Sequence, residues 1–374
     1  MVRRRIFSIA TGAAALGGFA LARAQGDVPL VLGQSAPFTG PAAELGIQFH
    51  QGAKMFFDQQ ASQAGARRIE IKTLDDGYEP ERCAANTQKL IGEDVFALFG
   101  YIGTPTSLAA LPLAVAGKVP FVAPFTGAMS LREPFHRNVF HLRASYNDET
   151  ALIVRHLTQL GLKKIAVFHQ NDAYGQAGLD GVTLALDPLQ LKPVATAKVE
   201  RNSVDVAAAV KTIVAARPDA VVQVSAYKSC AAFIRQARKA GYGGTFYNLS
   251  FVGTQALSDE LGKDGAGVVV TQVVPSPYSA ANALTREFNE AARKSNGAVK
   301  PNFSSMEGYL AAKVFAEGLK KTTGKPTRDG LIAGLEAIDR QTFGGFEVSF
   351  SARSHVASKF VELSMLTGDG RIRT

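Results

Sequence analysis

Short apolar runs alternate with longer segments of helical period along almost the whole chain. VPLVLGQ (28–34) reads as a strand, and Gly40-Pro41 opens a helix in which Leu45, Phe49, Ala53 and Phe56 recur on one face. IEIKTLDD (69–76), VFALFG (95–100) and VPFVAPF (119–125) follow as strands, each separated from the next by a helix-length segment. A second series starts near Lys164 with KIAVFHQ, then AVVQVSA (220–226), TFYNLS (245–250) and GVVVTQVV (267–274). Near-continuous apolar strands between helices predict parallel sheets covered on both faces. The expected fold class is α/β, with two Rossmann-like lobes joined by a hinge.

The segment 144–147 is the expected first crossing between the lobes, and VVPSPYS (273–279), with its two prolines, the second. This places an N-terminal lobe at 27–143 plus 277–350 and a C-terminal lobe at 144–276 plus 351–374. The helix around 304–322 is expected to return to the first lobe, and KFVELSML (359–366) to the second. No low-complexity tract and no short-period repeat interrupts this pattern.

The first 24 residues break it. Arg3, Arg4 and Arg5 precede an apolar run from about Ile9 to Leu21, and Ala22-Arg23-Ala24 supplies a small-x-small cleavage signature. The run is too short and too rich in Ala and Gly for a membrane span of about 20 strongly apolar residues. These residues read as a secretory signal peptide, with a mature chain beginning near Gln25 and working in the periplasm. Arg4-Arg5-Ile6-Phe7 also resembles a twin-arginine signal, although Arg3 stands where Ser or Thr is usual, so the export route stays open.

Removing that segment changes the charge. Four of the 41 basic residues and none of the 32 acidic ones lie in it, leaving 37 against 32. The remaining charges are scattered, with no dense basic block carrying interleaved aromatics, so no nucleic-acid partner is expected. A mature length of about 350 residues exceeds what one core supports, in keeping with two lobes. Cys83 and Cys230, far apart in the chain and each in an Ala-rich helical segment, read as separate buried thiols.

In open parallel sheets, ligands bind beyond the carboxyl ends of the strands, where helix N-termini present free N–H groups. That rule selects Ser35, the stretch Tyr101-Ile102-Gly103-Thr104-Pro105-Thr106, Phe125-Thr126-Gly127, Asp172-Ala173-Tyr174-Gly175, Ala226-Tyr227 and Ser250-Phe251. Small hydroxyls and glycines in the first lobe suit a carboxylate, and aromatic rings in the second suit an apolar or planar body. Each has a plainer alternative: Thr104 and Pro105 as a helix start, Tyr174 as a turn residue, Phe125 as core. The six histidines form no HExxH or Cys/His pairing, and no GxSxG, GxxxxGK[ST] or GxGxxG motif occurs. No enzymatic activity, cofactor or metal is therefore expected.

GQSAPFTGPAAELG, LFGYIGTPTSLAALPLA with VPFVAPFTGA, FHLRASYNDET, IAVFHQNDAYGQAGLDGV and FIRQARKAGY occur in that order. Together they resemble the branched-chain amino-acid (Leu/Ile/Val) binding protein family, the substrate-binding components of ABC importers, across essentially the whole mature chain. The resemblance implies the type I periplasmic binding protein fold and capture of a small ligand, an amino acid or other carboxylate, by hinge closure. It also implies ABC permease and ATPase subunits at the membrane as partners, with the chain itself a monomer. The alternative is a periplasmic ligand sensor serving a membrane receptor. Carried over, the ligand carboxylate falls to Thr104 and to Phe125-Thr126-Gly127, with Tyr101 and Thr106 beside them, and the second-lobe aromatics to Tyr174 and Tyr227. One position departs from the family. The acid that holds a ligand ammonium is replaced by Ser250, next to Phe251. A hydroxyl does not serve as a buried counter-ion, because an unpaired ammonium costs several kcal/mol to desolvate. Either another acid such as Asp148 or Glu307 moves in, or the ligand lacks an amino group; the second is the preferred expectation.

Overall fold

The computed structural model describes residues 29–63, 67–322 and 324–374; the expected signal peptide lies outside them. Strands β1 (Leu30–Ala36), β2 (Ile69–Asp75), β3 (Ala97–Phe99), β4 (Phe121–Val122) and β5 (Val139–Phe140) form a parallel sheet ordered β2-β1-β3-β4-β5. Strands β6 (Ile165–Gln170), β7 (Ala195–Val199), β8 (Ala220–Val224), β9 (Thr245–Asn248) and β10 (Val269–Gln272) form a second parallel set ordered β10-β9-β8-β6-β7. After a small hairpin, β11 (Gln341–Phe343) and β12 (Phe346–Val348), the chain adds β13 (Glu362–Leu366) and β14 (Ile372–Arg373) antiparallel to that second sheet. In each sheet the strand order reverses around the first strand of its lobe, creating the crevice where such folds take ligands.

The strands form where the apolar runs demand it. All six residues of β6 and all five of β8 are buried, because helices cover both faces. Two strands of the parallel sheets escaped the sequence reading for the opposite reason. β5 has only two residues, and β7, at the sheet edge, alternates exposed and part-buried positions instead of forming an apolar run.

Helix α1 (Ala43–Ala61) buries Leu45, Phe49 and Ala53, while α2 (Pro80–Gly92) and α3 (Thr104–Ala116) cover the rest of the first sheet. The second sheet carries α4 (Tyr146–Gln159), α5 (Ala173–Leu186), α6 (Ala207–Ala215), α7 (Tyr227–Lys239) and α8 (Thr254–Leu261). Helices α9 (Ala283–Lys294), α10 (Phe303–Lys320) and α11 (Arg328–Glu336) return to the first lobe, with α10 laid along α1. That contact is close because Gly52 and Gly308 lack side chains; a Cβ on either would run into the facing backbone, Ser305 O or Phe49 O. Where the chain passes between lobes, the segment at His141 lies beside a later one: His141 N donates to His355 O, and Ala357 N to His141 O, both at 2.8 Å. Cys83 and Cys230 are buried and unpaired, on α2 and α7.

Candidate ligand site between the lobes

The first-lobe side is built on the N-terminus of α3. Gly103, in a left-handed conformation (φ 95°), starts the helix without any side-chain cap. The Thr104 and Thr126 hydroxyls lie 2.7 Å apart, and Ala128 N donates to Thr126 Oγ1 at 3.2 Å. Two hydroxyls carry two protons and only one lies between them, so the other is left for the neighbouring Tyr146 oxygen or a ligand oxygen. Thr106 plays no part in that pair. Its hydroxyl turns back to donate to Ile102 O and Gly103 O, closing the first turn of α3.

Across from the hydroxyls, aromatic rings from both lobes converge. Phe125 lies 5.8 Å from Phe251, and Phe251 lies 4.5 Å from Tyr174 and 5.8 Å from Tyr78. Tyr146, the first residue of α4, sits 5.3 Å from Tyr174. Backbone contacts fix these rings. Asp172 caps α5 by accepting from Tyr174 N and Gly175 N at 3.0 and 3.3 Å, and Tyr146 N donates to Gly127 O at 2.8 Å. Gly127 is bare because a Cβ there would crowd Tyr146. All five rings are buried; the Tyr174 hydroxyl has no hydrogen-bond partner, and the Tyr146 hydroxyl lies by the Thr126 hydroxyl and Gly127 N without ordinary hydrogen-bond geometry to either. Burial pushes both phenols above their ordinary value, so they remain protonated donors.

The charged groups nearby are already engaged. Arg143, 1% exposed, donates through Nε and Nη2 to the two oxygens of Glu307 at 2.8 and 2.7 Å. Its guanidinium lies 3.9 Å over the Phe125 ring, and Nη1 lacks a partner. Asp148 accepts from Ser145 N and its hydroxyl in a capping box. Neither Asp148 nor Glu307 therefore moves in for the acid absent at Ser250. The acid beside Ser250 is instead Glu149, which accepts from Ser250 N at 2.8 Å, Ser250 Oγ at 3.0 Å and Thr271 Oγ1. Burial pushes the Glu149 carboxyl up, against the opposing pull of Arg143 and these donors.

Among the residues selected from sequence, Thr104, Phe125, Thr126, Gly127, Tyr174, Ser250 and Phe251 come together here. Tyr101 does not. Its ring packs edge-on to Phe121 and its hydroxyl accepts from Thr87, which places it in the first-lobe core. Tyr227 lines a separate groove of about 580 Å³ between α1 of the first lobe and α7 and α8 of the second, with Glu44, Gln48 and Asp259. The sequence reading missed Tyr78, Arg143, Tyr146 and Glu149. For Glu149 a signal existed, since it shares the buried face of α4 with Ile153 and Leu157 at helical spacing, an expensive place for a carboxylate without partners.

The profile described as periplasmic binding protein matches residues 29–370. The chain belongs to that family. A "Leu/Ile/Val-binding protein homolog 7" of Brucella suis is 26% identical over 333 residues, 83% of this chain and 81% of that protein. The crystal structure of a possible leucine/isoleucine/valine-binding protein from Rhodopirellula baltica superposes with a TM-score of 0.87 at 34% identity, covering 92% and 95% of the two chains. A solute-binding protein of an ABC transporter from R. palustris, solved with benzoate, has the same fold at 21% identity and a TM-score of 0.82, covering 92% and 95%. The architecture is thus that of the type I periplasmic binding proteins, and the family points to the periplasm. Among the described residues no helix is long and apolar enough to cross a membrane, and no cluster suited to a metal ion occurs.

Proposed function

We propose that this family member is the solute-binding component of an ABC importer, exported by its N-terminal signal, with no catalytic activity of its own. Its ligand is a small carboxylate with an apolar or aromatic body and no ammonium group. The observation carrying this reading is the buried, unpartnered Tyr174 hydroxyl among five rings, beside the Thr104–Thr126 hydroxyl pair. Buried polar groups are almost always satisfied, so an orphan donor at a lobe junction calls for an acceptor-bearing guest. The guest's charge follows from the acids. Glu307 pairs with Arg143, one oxygen of Asp148 takes Ser145 and both oxygens of Glu149 take donors, so an ammonium finds none of these three carboxylates without existing partners. The benzoate-bound R. palustris protein is a precedent for an aromatic acid within this fold.

Function then follows from hinge closure. The ligand docks on the first-lobe hydroxyls, and Tyr174 and Phe251 close over it from the second lobe. It stabilises the closed form only by its differential affinity for the two states. A permease would recognise that closed form. Thermal-shift and calorimetric titration of refolded, ligand-stripped protein against aromatic acids, short-chain acids, aliphatic amino acids and amides tests the reading. Saturation at about 100 times Kd stabilises the fold by ~2.7 kcal/mol. Tight binding of leucine or valine with no response to benzoate-like acids would overturn the ligand class.

A further inference from the structure

Beyond the anchoring hydroxyls, the loop after β2 reaches from the first lobe into the second. We infer that Tyr78, on this loop, sets the size limit of the ligand and that its hydroxyl registers lobe closure through Gln170. The proposal rests on the reading of a carboxylate held at Thr104 and Thr126.

Tyr78 is fully buried and has φ 66°, a left-handed backbone that bulky side chains rarely adopt. The surroundings hold it there. Asp76 accepts from Tyr78 N at 2.8 Å through one oxygen and from the Ser35 hydroxyl at 2.7 Å through the other, tying the turn to the end of β1. On the far side, Glu79 receives Arg201 Nη2 at 2.9 Å and Asn202 Nδ2 at 2.8 Å, and Asn202 also donates to Gly77 O at 3.0 Å. The loop is thus bolted into both lobes.

Its ring lies over the bare Cα of Gly103, where a Cβ would collide with it, and Gly103 immediately precedes Thr104. From there the ring extends toward the second lobe. Its centroid is 5.8 Å from Phe251, and Gln170 Nε2 donates to its hydroxyl at 3.2 Å. Gln170 is itself held by Asp172, the residue that caps the helix carrying Tyr174. A guest anchored at the N-terminus of α3 therefore meets the Tyr78 ring as it lengthens. The ring cannot retreat, because Gly103 and the Asp76 turn are behind it. The Gln170 bond exists only while the lobes are together, since its partners belong to different sheets.

The test uses the ligand-stripped mature protein, its Tyr78→Phe and Tyr78→Ala variants, and two ligand ladders. One runs benzoate, phenylacetate, 3-phenylpropanoate; the other alanine, valine, leucine, phenylalanine. Far-UV circular dichroism and thermal melts verify that each variant folds. Tyr78→Ala is expected to move the longest accepted ligand up at least one rung while weakening the shortest. Tyr78→Phe keeps the ring, so the limit should stay while release in stopped-flow quickens about fivefold, the loss of one hydrogen bond. The same cut-off in Tyr78→Ala, with all ligands weakened equally, overturns the size role, and unchanged release in Tyr78→Phe overturns the closure role. Binding confined to the amino-acid ladder refutes the ligand class but still judges Tyr78 on that ladder. Wild-type protein that binds neither ladder overturns both.

Discussion

Replacing Glu307 with Gln removes the countercharge of a guanidinium that has almost no access to water. Both members of the Arg143–Glu307 pair are nearly inaccessible, at 1% and 4% side-chain exposure, and two hydrogen bonds of 2.8 and 2.7 Å join them. Deleting one partner of such a buried pair costs about 3–5 kcal/mol, because the remaining charge stays desolvated. Gln retains one acceptor for Nε, and the Phe125 ring still faces the cation at 3.9 Å, so the lower end, about 3 kcal/mol, is expected. Nη1 already lacks a partner and offers no rescue. Against a total stability of about 5–15 kcal/mol, the loss should be plain in urea unfolding followed by circular dichroism. The double variant Arg143→Met/Glu307→Gln removes the stranded charge and should recover most of it, giving a coupling energy above about 2 kcal/mol. A Glu307→Gln loss below about 1 kcal/mol, or a double variant that simply adds the two single losses, would refute the view that this pair is a desolvated ion pair.

Three further outcomes follow from the same geometry. Thr104→Ala should weaken ligand binding by about 1–3 kcal/mol through the lost bond to a charged group; calorimetric affinity equal to wild type would remove Thr104 from the site. Burial pushes the Asp76 carboxyl up to about 6 from an ordinary 3.8. The stability it contributes is complete below the unfolded-state value and disappears as pH rises through about 6, up to about 3 kcal/mol. Subtracting the Asp76→Asn unfolding curve from that of wild type between pH 3.5 and 7 isolates this slope, and parallel curves would exclude it. Glu79→Gln weakens a part-exposed interlobe ion pair while Arg201 keeps Asp172, so ligand release should quicken by no more than about fivefold and lose some of its salt dependence. Stopped-flow release at low and high salt reads this directly.

The alternation of apolar runs and helical segments determined the two-lobed α/β plan by itself. Strands such as β6 and β8 must be buried on both faces, and only helices on each side achieve that. The strand-end rule likewise brought Thr104, Phe125, Thr126, Tyr174, Ser250 and Phe251 into view, since backbone topology alone says which loops meet at the crevice. It selected Tyr101, Thr106 and Tyr227 on the same grounds, yet their side chains face the first-lobe core, the helix's own first turn and a separate groove between α1 and α7–α8. Loop position is local, whereas side-chain direction is settled by whichever neighbour packs against it. The polar partnerships lie further still from sequence reach. Arg143 finds Glu307 at a separation of 164 residues, Glu149 finds Ser250 at 101, and Tyr78 finds Gln170 at 92. Only the docking of one lobe on the other, and of α10 on α1, decides which buried charges are paired and which hydroxyls stay unpartnered, because each outcome depends on water being excluded from both partners at once.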